Sequence, residues 1–260
     1  MTDDDTSALE RIEAEAFAGL FPDHSFAVGG AVGIAFPLPG VMMLNRVIGL
    51  GVREPATDAG LDEIAERFGG REHMVSVAPG VEPADLADRL RERGYRPRSA
   101  WVKFRRGAIT PSPASTDLQV ELVDGARAGD LARVVSEGFG MPAHVGEPLM
   151  RVVGRPGWGC FLASAGDQPA AAGLVYTSGD TAWLGVAATL PEFRRRGGQG
   201  ALMVARILHA SQHGCRRIVT ETGELAQGQP NASYRNILRH GFEAAYVRPN
   251  FVSPGPTPAA

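Results

Sequence analysis

The first half of the chain alternates between helical and extended patterns of apolar residues. Apolar positions three or four apart are typical of one helix face, whereas short apolar runs that end at Gly or Pro are typical of strands. The helical spacing predicts helices at residues 6–20, 58–68 and 83–93. The apolar runs predict strands at residues 25–36, 41–52, 73–77 and 100–105.

The second half contains three apolar runs separated by tight turns. They predict a meander of three strands, at residues 158–163, 170–176 and 181–188. Before the meander we expect a strand at 118–123 and helices at 130–137 and 147–153. After it we expect a helix at 201–210, a strand at 217–222, a helix at 232–239 and a strand at 242–251. On the helix that follows the meander, Leu202, Ala205 and Leu208 would share one face.

These elements predict an α/β (α+β) protein with two domains. Residues 111–117 are rich in Pro and Ser and separate two periodic regions, so we predict a linker there. The first domain would span residues 1–110 and the second residues 118–252. Residues 253–260, rich in Pro and Ala, would form a flexible tail.

The composition argues against several classes of partner and location. The chain has 26 Lys and Arg against 29 Asp and Glu, a balance that does not favour a nucleic-acid partner. Two cysteines are too few for a disulfide framework and fit a reducing cytoplasm. The N-terminus is acidic rather than signal-like, and no apolar run approaches the roughly 20 residues that cross a bilayer. We therefore expect a cytoplasmic protein with no membrane partner.

One stretch, residues 190–202, combines glycines and arginines between the last meander strand and the next helix. Its sequence is Leu-Pro-Glu-Phe-Arg-Arg-Arg-Gly-Gly-Gln-Gly-Ala-Leu. A helix N-terminus presents unpaired N–H groups and a partial positive charge. Glycines let an anion approach the backbone closely, and three arginines add full charges. The stretch therefore predicts a site for phosphate or pyrophosphate.

In this position the stretch resembles the acetyl-CoA motif of the GNAT N-acetyltransferase superfamily, Gln/Arg-x-x-Gly-x-Gly/Ala at a strand-to-helix junction. Residues 231–242, an Asn followed by a helix that ends in Gly-Phe, resemble the second signature of that family. The resemblance covers about residues 118–252. It implies a mixed, mostly antiparallel sheet flanked by helices.

The acetyl-CoA motif can be aligned with this chain in two registers. Arg195-x-x-Gly198-x-Gly200 satisfies it literally. We prefer Arg194-x-x-Gly197-x-Gln199, in which a glutamine replaces a glycine, because Pro191 and Leu202 then keep their usual distances from the loop.

The first half resembles a degenerate copy of the second. Residues 90–95 parallel residues 238–242, and each segment leads from a helix into a strand. The equivalent of the basic loop would fall near residues 52–60, where no Arg-x-x-Gly-x-Gly occurs. We expect two tandem copies, the first unable to bind CoA. The alternative is that two unrelated α/β units share common turn signals.

The resemblance implies transfer of an acyl group from acetyl-CoA to an amine, which attacks directly in a ternary complex. In the family the fourth and fifth strands splay apart to bind pantetheine; here these would be residues 181–188 and 217–222. The implied acetyl-CoA contacts are Ala187, Ala188, Thr189, Arg194, Arg195, Arg196, Gly197, Gly198, Gln199, Gly200, Ala201, Asn231, Ser233, Arg235 and Asn236.

Proton transfer in such a reaction needs a base and an acid. Glu221 on the fifth strand is the candidate base; otherwise it is a solvent-facing carboxylate. The family often uses a tyrosine four residues before the Gly of Gly-Phe, and Ile237 occupies that position here. Tyr234, one turn earlier, is the candidate acid; otherwise it packs against CoA or the core.

Two rival functions are open at this point. One is a CoA-binding sensor or regulatory module without turnover, and the other is a site for another phosphorylated ligand such as a nucleotide. His209, His213 and Cys215 lack a fourth ligand at metal spacing, so we expect no metal. The acceptor, a small-molecule or peptide amine, would be selected by residues 139–155 and the first half. A homodimer is also an open arrangement.

Overall fold

The computed structural model describes residues 3–37, 42–224 and 232–255. Its helices are α1 (Asp3–Leu20), α2 (Asp58–Phe68), α3 (Leu86–Glu92), α4 (Ala128–Phe139), α5 (Ala143–Met150), α6 (Gly198–Gln212) and α7 (Ala232–Arg239). Its strands are β1 (Ser25–Val28), β2 (Ala31–Ile34), β3 (Arg46–Ile48), β4 (Met74–Ser76), β5 (Arg96–Gly107), β6 (Gln119–Leu122), β7 (Trp158–Ala165), β8 (Gln168–Ser178), β9 (Thr181–Thr189), β10 (Arg217–Gly223) and β11 (Glu243–Val252).

This element order confirms the predicted fold class, a mixed α+β protein whose mostly antiparallel strands are flanked by helices. Two predicted elements differ in extent. Within 41–52 the described strand is only β3, preceded by a short 3-10 turn. The helix predicted at 147–153 is α5, which begins directly after Pro142 and ends at Met150. Among the described residues, no helix is both long and apolar enough to cross a bilayer.

The chain divides into two compact units with boundaries inside β5 and β11. Unit 1 comprises residues 1–103 and 245–260, and unit 2 comprises residues 104–244. The segment 111–117 lies within unit 2. Ser253, at the start of the predicted tail, is buried, and its Oγ accepts a hydrogen bond from the His73 N–H. Residues 256–260 of that tail lie outside the described residues.

Unit 1 builds its core around four short strands and the end of β11. β1 pairs antiparallel with β2, β2 antiparallel with β3, and β3 parallel with β4. Residues 250–252 of β11 pair antiparallel with β4. The apolar faces of α2 and α3 complete this core with Leu61, Ile64, Phe68, Leu86 and Leu90.

A buried group of charged side chains also lies in unit 1. The Glu13 carboxylate is fully buried and accepts hydrogen bonds from Arg46 (2.5 Å), Arg248 (2.8 and 3.1 Å) and Lys103. Burial raises the pKa of Glu13, but the three cations outweigh burial and hold that pKa well below its usual value. Glu13 is therefore charged within the fold.

The helix-to-strand turns that suggested a repeat share one local geometry. Gly94 and Gly241 have positive φ values of 87° and 75°. The aromatic residue after each glycine, Tyr95 or Phe242, is buried. Both turns thus end a helix with a left-handed glycine. The tandem-copy assignment itself stays a prediction.

Unit 2 holds an antiparallel meander between helices. β6, β7, β8 and β9 pair antiparallel in that order, and β10 adds in parallel to β9. Gly138 of α4 lies against Ala188 of β9, whereas Gly173 of β8 lies against Arg206 of α6. Ala188 pairs with Ala172, the neighbour of Gly173, so α4 and α6 cover opposite faces of the sheet.

Candidate functional site

The candidate site lies where β9 and β10 diverge. Their parallel pairing runs from Thr181 opposite Arg217 to Leu184 opposite Thr220. Both strands then continue, β9 to Thr189 and β10 to Gly223, without further mutual pairs across these described residues. Strands that separate leave backbone N–H and C=O groups available to a ligand. The splay expected from the resemblance is therefore present.

β9 is bulged immediately after this divergence. Val186 and Ala187 both lie opposite the single residue Gly173 of β8. Val186 has a φ of 49°, a left-handed conformation that β-branched residues rarely adopt. A bulge leaves one residue outside the ladder and redirects the backbone. The predicted contacts Ala187, Ala188 and Thr189 therefore begin within the bulge and follow it.

The basic loop leads from β9 into the N-terminus of α6. Arg195 and Gly197 have positive φ values of 66° and 80°. Gly197 is the N-cap, and α6 begins at Gly198. The N–H groups of the first turn, which include those of Gln199 and Gly200, have no carbonyl partner within the helix. The 15-residue helix adds its partial positive charge at the same end.

Glycine is required at position 197 for two reasons. Its backbone is left-handed, and a Cβ there would lie 2.2 Å from the Ser115 carbonyl oxygen and 3.1 Å from the Thr116 Cβ. At Gly200, by contrast, a Cβ would approach no atom closer than 3.5 Å. At Gly198 a Cβ would lie 2.9 Å from the side-chain Cδ1 of Leu118, and the backbone there is not left-handed. Of these three glycines, only Gly197 combines a left-handed backbone with a clash against main chain, which favours the register Arg194-x-x-Gly197-x-Gln199.

The predicted linker packs against this loop. The Thr116 Oγ1 donates to the Arg196 carbonyl oxygen at 2.7 Å, and the Arg196 guanidinium pairs with the Asp117 carboxylate. That hydrogen bond raises the pKa of Arg196 and lowers the pKa of Asp117. Arg194 and Arg195 are exposed and form no ion pair with any described residue. Their side chains are therefore the ones available to an anion.

Gln199, which occupies a glycine position of the motif, reaches back to β9. Its Nε2 donates to the Ala188 carbonyl oxygen at 2.9 Å and to the Thr189 Oγ1 at 2.8 Å. The side chain thus ties the start of α6 to the strand segment after the bulge.

The candidate proton-transfer residues lie on β10 and α7. Glu221 is half-buried, one residue beyond the last β9–β10 pair. Tyr234 is half-buried and packs edge-on against Phe104, with ring centroids 5.0 Å apart. Ile237 is 2 % exposed and therefore belongs to the core.

The remaining predicted contacts lie on or before α7. Ser233 and Arg235 are exposed, and Asn236 is half-buried. The Asn236 carbonyl oxygen is 2.8 Å from the His240 Nδ1. Asn231 lies outside the described residues.

The buried face of α6 differs from the one that the sequence predicts. The expected face joins Leu202 with Ala205 and Leu208, but Leu208 is 37 % exposed and Ala205 only half-buried. The helix buries Leu202, Met203, Arg206, Ile207 and Ala210 instead. In the sequence, the spacing of four residues between 202, 206 and 210 indicates this buried face. The charge of Arg206 concealed it, because arginine is rarely buried.

No metal centre is formed by the described part of the chain, where no three His, Cys, Asp or Glu side chains cluster suitably. The rings of His209 and His213 stack with centroids 4.1 Å apart, and Cys215 is buried. Burial, together with His213, lowers the pKa of His209.

Comparison with solved structures identifies the fold. No protein-family model and no curated protein matches the sequence. A GCN5-related N-acetyltransferase from Kribbella flavida aligns over 95 % of this chain and 96 % of its own, with TM-score 0.63 and 17 % identity. One from Sphaerobacter thermophilus aligns over 98 % and 95 %, with TM-score 0.62 and 15 % identity. A tandem GNAT protein from the clavulanic acid biosynthesis pathway aligns over 78 % and 70 %, with TM-score 0.53 and 16 % identity.

At these identities the likeness establishes the fold, which two sequence signatures had predicted: the chain has the fold of the GNAT acetyltransferases.

Proposed function

We propose that unit 2 binds acetyl-CoA and transfers its acyl group to an amine. The observation that carries the proposal is the divergence of β9 and β10 beside a helix N-terminus capped by a left-handed glycine. The splay offers backbone groups along β9, and the N-terminus of α6, after the loop that follows β9, offers N–H groups. This pairing suits a ligand with an amide-rich arm and a pyrophosphate.

The pyrophosphate would lie on the first turn of α6. N–H groups of residues 197–200 are the donors, because the Ala201 N–H already donates to the Gly197 carbonyl oxygen at 3.1 Å, and the exposed side chains of Arg194 and Arg195 add charge. Gly197 suits this role, because its left-handed backbone brings the loop directly into the helix N-terminus. Charge-assisted hydrogen bonds of this type are worth about 1.5–3 kcal/mol when sheltered from water, and less at exposed arginines.

The pantetheine arm would run along β9 after the bulge. Backbone groups of Ala187, Ala188 and Thr189 are the proposed partners. The Ala188 carbonyl already accepts from Gln199, so its second lone pair or the neighbouring N–H groups would serve. Ser233, Arg235 and Asn236 of α7 complete the proposed contacts, together with Asn231.

When bound, the thioester supplies an activated acyl group. The chain has to hold a neutral amine beside it, because a protonated amine cannot attack. Glu221, at the start of the splay, is the proposed base, directly or through water. Tyr234 is the proposed acid for the departing thiolate, since the hydrocarbon side chain of Ile237 has no acidic proton to donate.

The donor is tested by calorimetry. We expect heat of binding with acetyl-CoA and none with ATP or NAD, which would be ligands of a generic nucleotide site. The double variant Arg194→Ala/Arg195→Ala should bind acetyl-CoA more weakly than the wild type. Arg133→Ala is the matched control, because Arg133 is an exposed arginine of α4 that pairs with Glu137. Absence of acetyl-CoA binding by the wild type would refute the proposal.

A sensor without turnover is the second candidate function. It is favoured by the buried Ile237 at the position of the usual tyrosine and by the contact of Tyr234 with Phe104. Release of free thiol from acetyl-CoA across a panel of small-molecule and peptide amines separates the two functions. Binding without release on any amine would favour the sensor. A loss of release in Glu221→Gln and Tyr234→Phe would support the proposed acid and base.

A further inference from the structure

Arg206 is an arginine buried in unit 2 without an acidic partner. It is 1 % exposed, and no carboxylate of the described chain pairs with it. Burial alone lowers its pKa to about 10, which leaves the guanidinium charged at neutral pH. A buried charge without a counter-charge opposes folding. Its contacts must therefore provide something other than net stability.

Those contacts are backbone carbonyls, two at the edge of the bulge and one within α6. The Arg206 Nη1 donates to the carbonyl oxygens of Leu174 and Gly185, each at 3.3 Å, and Nε donates to Leu202 at 3.0 Å. Leu174 and Gly185 face each other as the last regular pair before the bulge. The guanidinium thus bridges β8 and β9 at the point where β9 leaves its regular path.

The sequence opposite the bulge makes room for this guanidinium. Gly173 is the single β8 residue opposite Val186 and Ala187. A Cβ on Gly173 would lie 3.0 Å from the Arg206 Cζ and 3.1 Å from its Nε. Any side chain at that position would crowd the arginine. The bulge and the buried charge are therefore parts of one arrangement.

A second side chain of α6 holds the other end of the bulge. Gln199 is seven residues before Arg206, about two helical turns, so both project from similar sides of α6. Its Nε2 donates to the Ala188 carbonyl oxygen, directly after the bulge. The carbonyls that flank the bulge, at 185 and 188, thus both accept from α6.

We propose that Arg206 and Gln199 are positioning residues for acyl transfer, which hold the bulge of β9 so that the backbone of Ala187 stays directed into the splay. Neither residue has to touch the reacting atoms. Val186 is held at φ 49°, and a strained residue persists only where its surroundings impose that conformation. The inference rests on the proposed acyl transfer and adds the residues that align its donor strand.

The first test is steady-state kinetics of Arg206→Met, Arg206→Lys and Gln199→Met. We expect Arg206→Met to lower kcat at least tenfold while the KM for acetyl-CoA changes less than threefold, because the first turn of α6 still binds the pyrophosphate. Arg206→Lys should recover part of kcat, since the ammonium can still donate to a carbonyl. Gln199→Met should lower kcat less than Arg206→Met does, because Gln199 is only half-buried. Arg133→Met is the control and should match the wild type.

The melting temperature separates positioning from a purely structural role. Removal of an unpaired buried charge should leave the melting temperature of Arg206→Met within a few degrees of the wild type. An unchanged kcat would overturn the proposal. A loss of kcat that only follows a loss of folded protein, and that Gln199→Met does not share, would also overturn it.

Hydrogen exchange of the protein without ligand gives a readout that does not depend on turnover. We expect Arg206→Met to speed exchange in peptides covering residues 185–189, with little change in the rest of β8 and β9. Unchanged exchange at 185–189 would overturn the positioning role even if the enzyme is active. If the wild type shows no transfer to any amine, the proposed function fails, and exchange still decides whether α6 holds the bulge.

Discussion

Replacement of Gly197 by alanine tests the geometry of the proposed anion-binding loop most directly. The backbone at 197 is left-handed, which costs an alanine about 1–2 kcal/mol. The new Cβ would also lie 2.2 Å from the Ser115 carbonyl oxygen, well inside van der Waals contact. Overpacking of this kind typically costs about 1–3 kcal/mol. We therefore expect Gly197→Ala to lower the free energy of unfolding by about 2–5 kcal/mol.

Two other glycines of unit 2 separate these contributions. Gly214 has nearly the same φ, 79°, but a methyl group at that position would have no atom within 4 Å, so Gly214→Ala measures the backbone cost alone. Gly129 lies in α4 with ordinary helical φ and open space, so Gly129→Ala should stabilise by about 0.5–1 kcal/mol. The difference between Gly197→Ala and Gly214→Ala is then the steric contribution of Ser115.

The assay is urea unfolding of the three variants, followed by calorimetry with acetyl-CoA. Gly197→Ala should weaken acetyl-CoA binding, because relief of the clash moves either the loop or residues 115–116. Gly214→Ala and Gly129→Ala lie outside the proposed site and should bind as the wild type does. Equal destabilisation by Gly197→Ala and Gly214→Ala would refute the reasoning, since it would mean that Ser115 yields without cost.

Three further predictions concern buried ionisable groups. Glu13→Gln should lower the free energy of unfolding by about 3–5 kcal/mol in thermal or urea unfolding, because it leaves buried cations without their carboxylate; a loss below about 1 kcal/mol would contradict this. Burial lowers the pKa of His73 to about 4, so wild-type stability should fall by up to about 3 kcal/mol as pH falls from 6.5 to 4, where only the unfolded chain gains that proton. In His73→Gln this part of the pH dependence should vanish. If stability fell in parallel with pH in the variant and the wild type, protonation of His73 would not be its cause. Burial raises the pKa of Cys160 to about 12, and burial together with the charge of Asp180 raises the pKa of Cys215 above its usual value, so a thiol reagent at about pH 8 should label neither cysteine rapidly until urea is added; rapid labelling of the native protein would show that these thiols are accessible.

Local patterns in the sequence predicted the elements that depend on near neighbours. The meander, the helix after it and the glycine-rich turn between them follow from alternation, helical spacing and backbone freedom over a few residues. Pairing of the meander strands follows from their short turns. The prediction that residues 194–201 bind an anion follows likewise, since a helix N-terminus exposes its N–H groups whatever lies around it.

The role of individual side chains could not be predicted in the same way. Segment 111–117 has the prolines of a linker, yet Asp117 pairs with Arg196 about 80 positions later. Arg206 has the charge of a surface residue, yet the carbonyls of Leu174 and Gly185 surround it. In each case the hydrogen-bond or ion-pair partner is distant in sequence, and no local pattern predicts it.

By itself, the sequence determined the order of helices and strands, the position of the basic loop and the resemblance to the GNAT fold. These depend on hydrophobic spacing and on backbone groups, which act locally. Only the tertiary structure decided where β9 bulges, which arginine is buried beneath it and which unit contains the end of β11. Strand register and the partners of buried polar groups are set by packing between distant segments, because each such group must find a hydrogen-bond partner wherever the folded chain provides one.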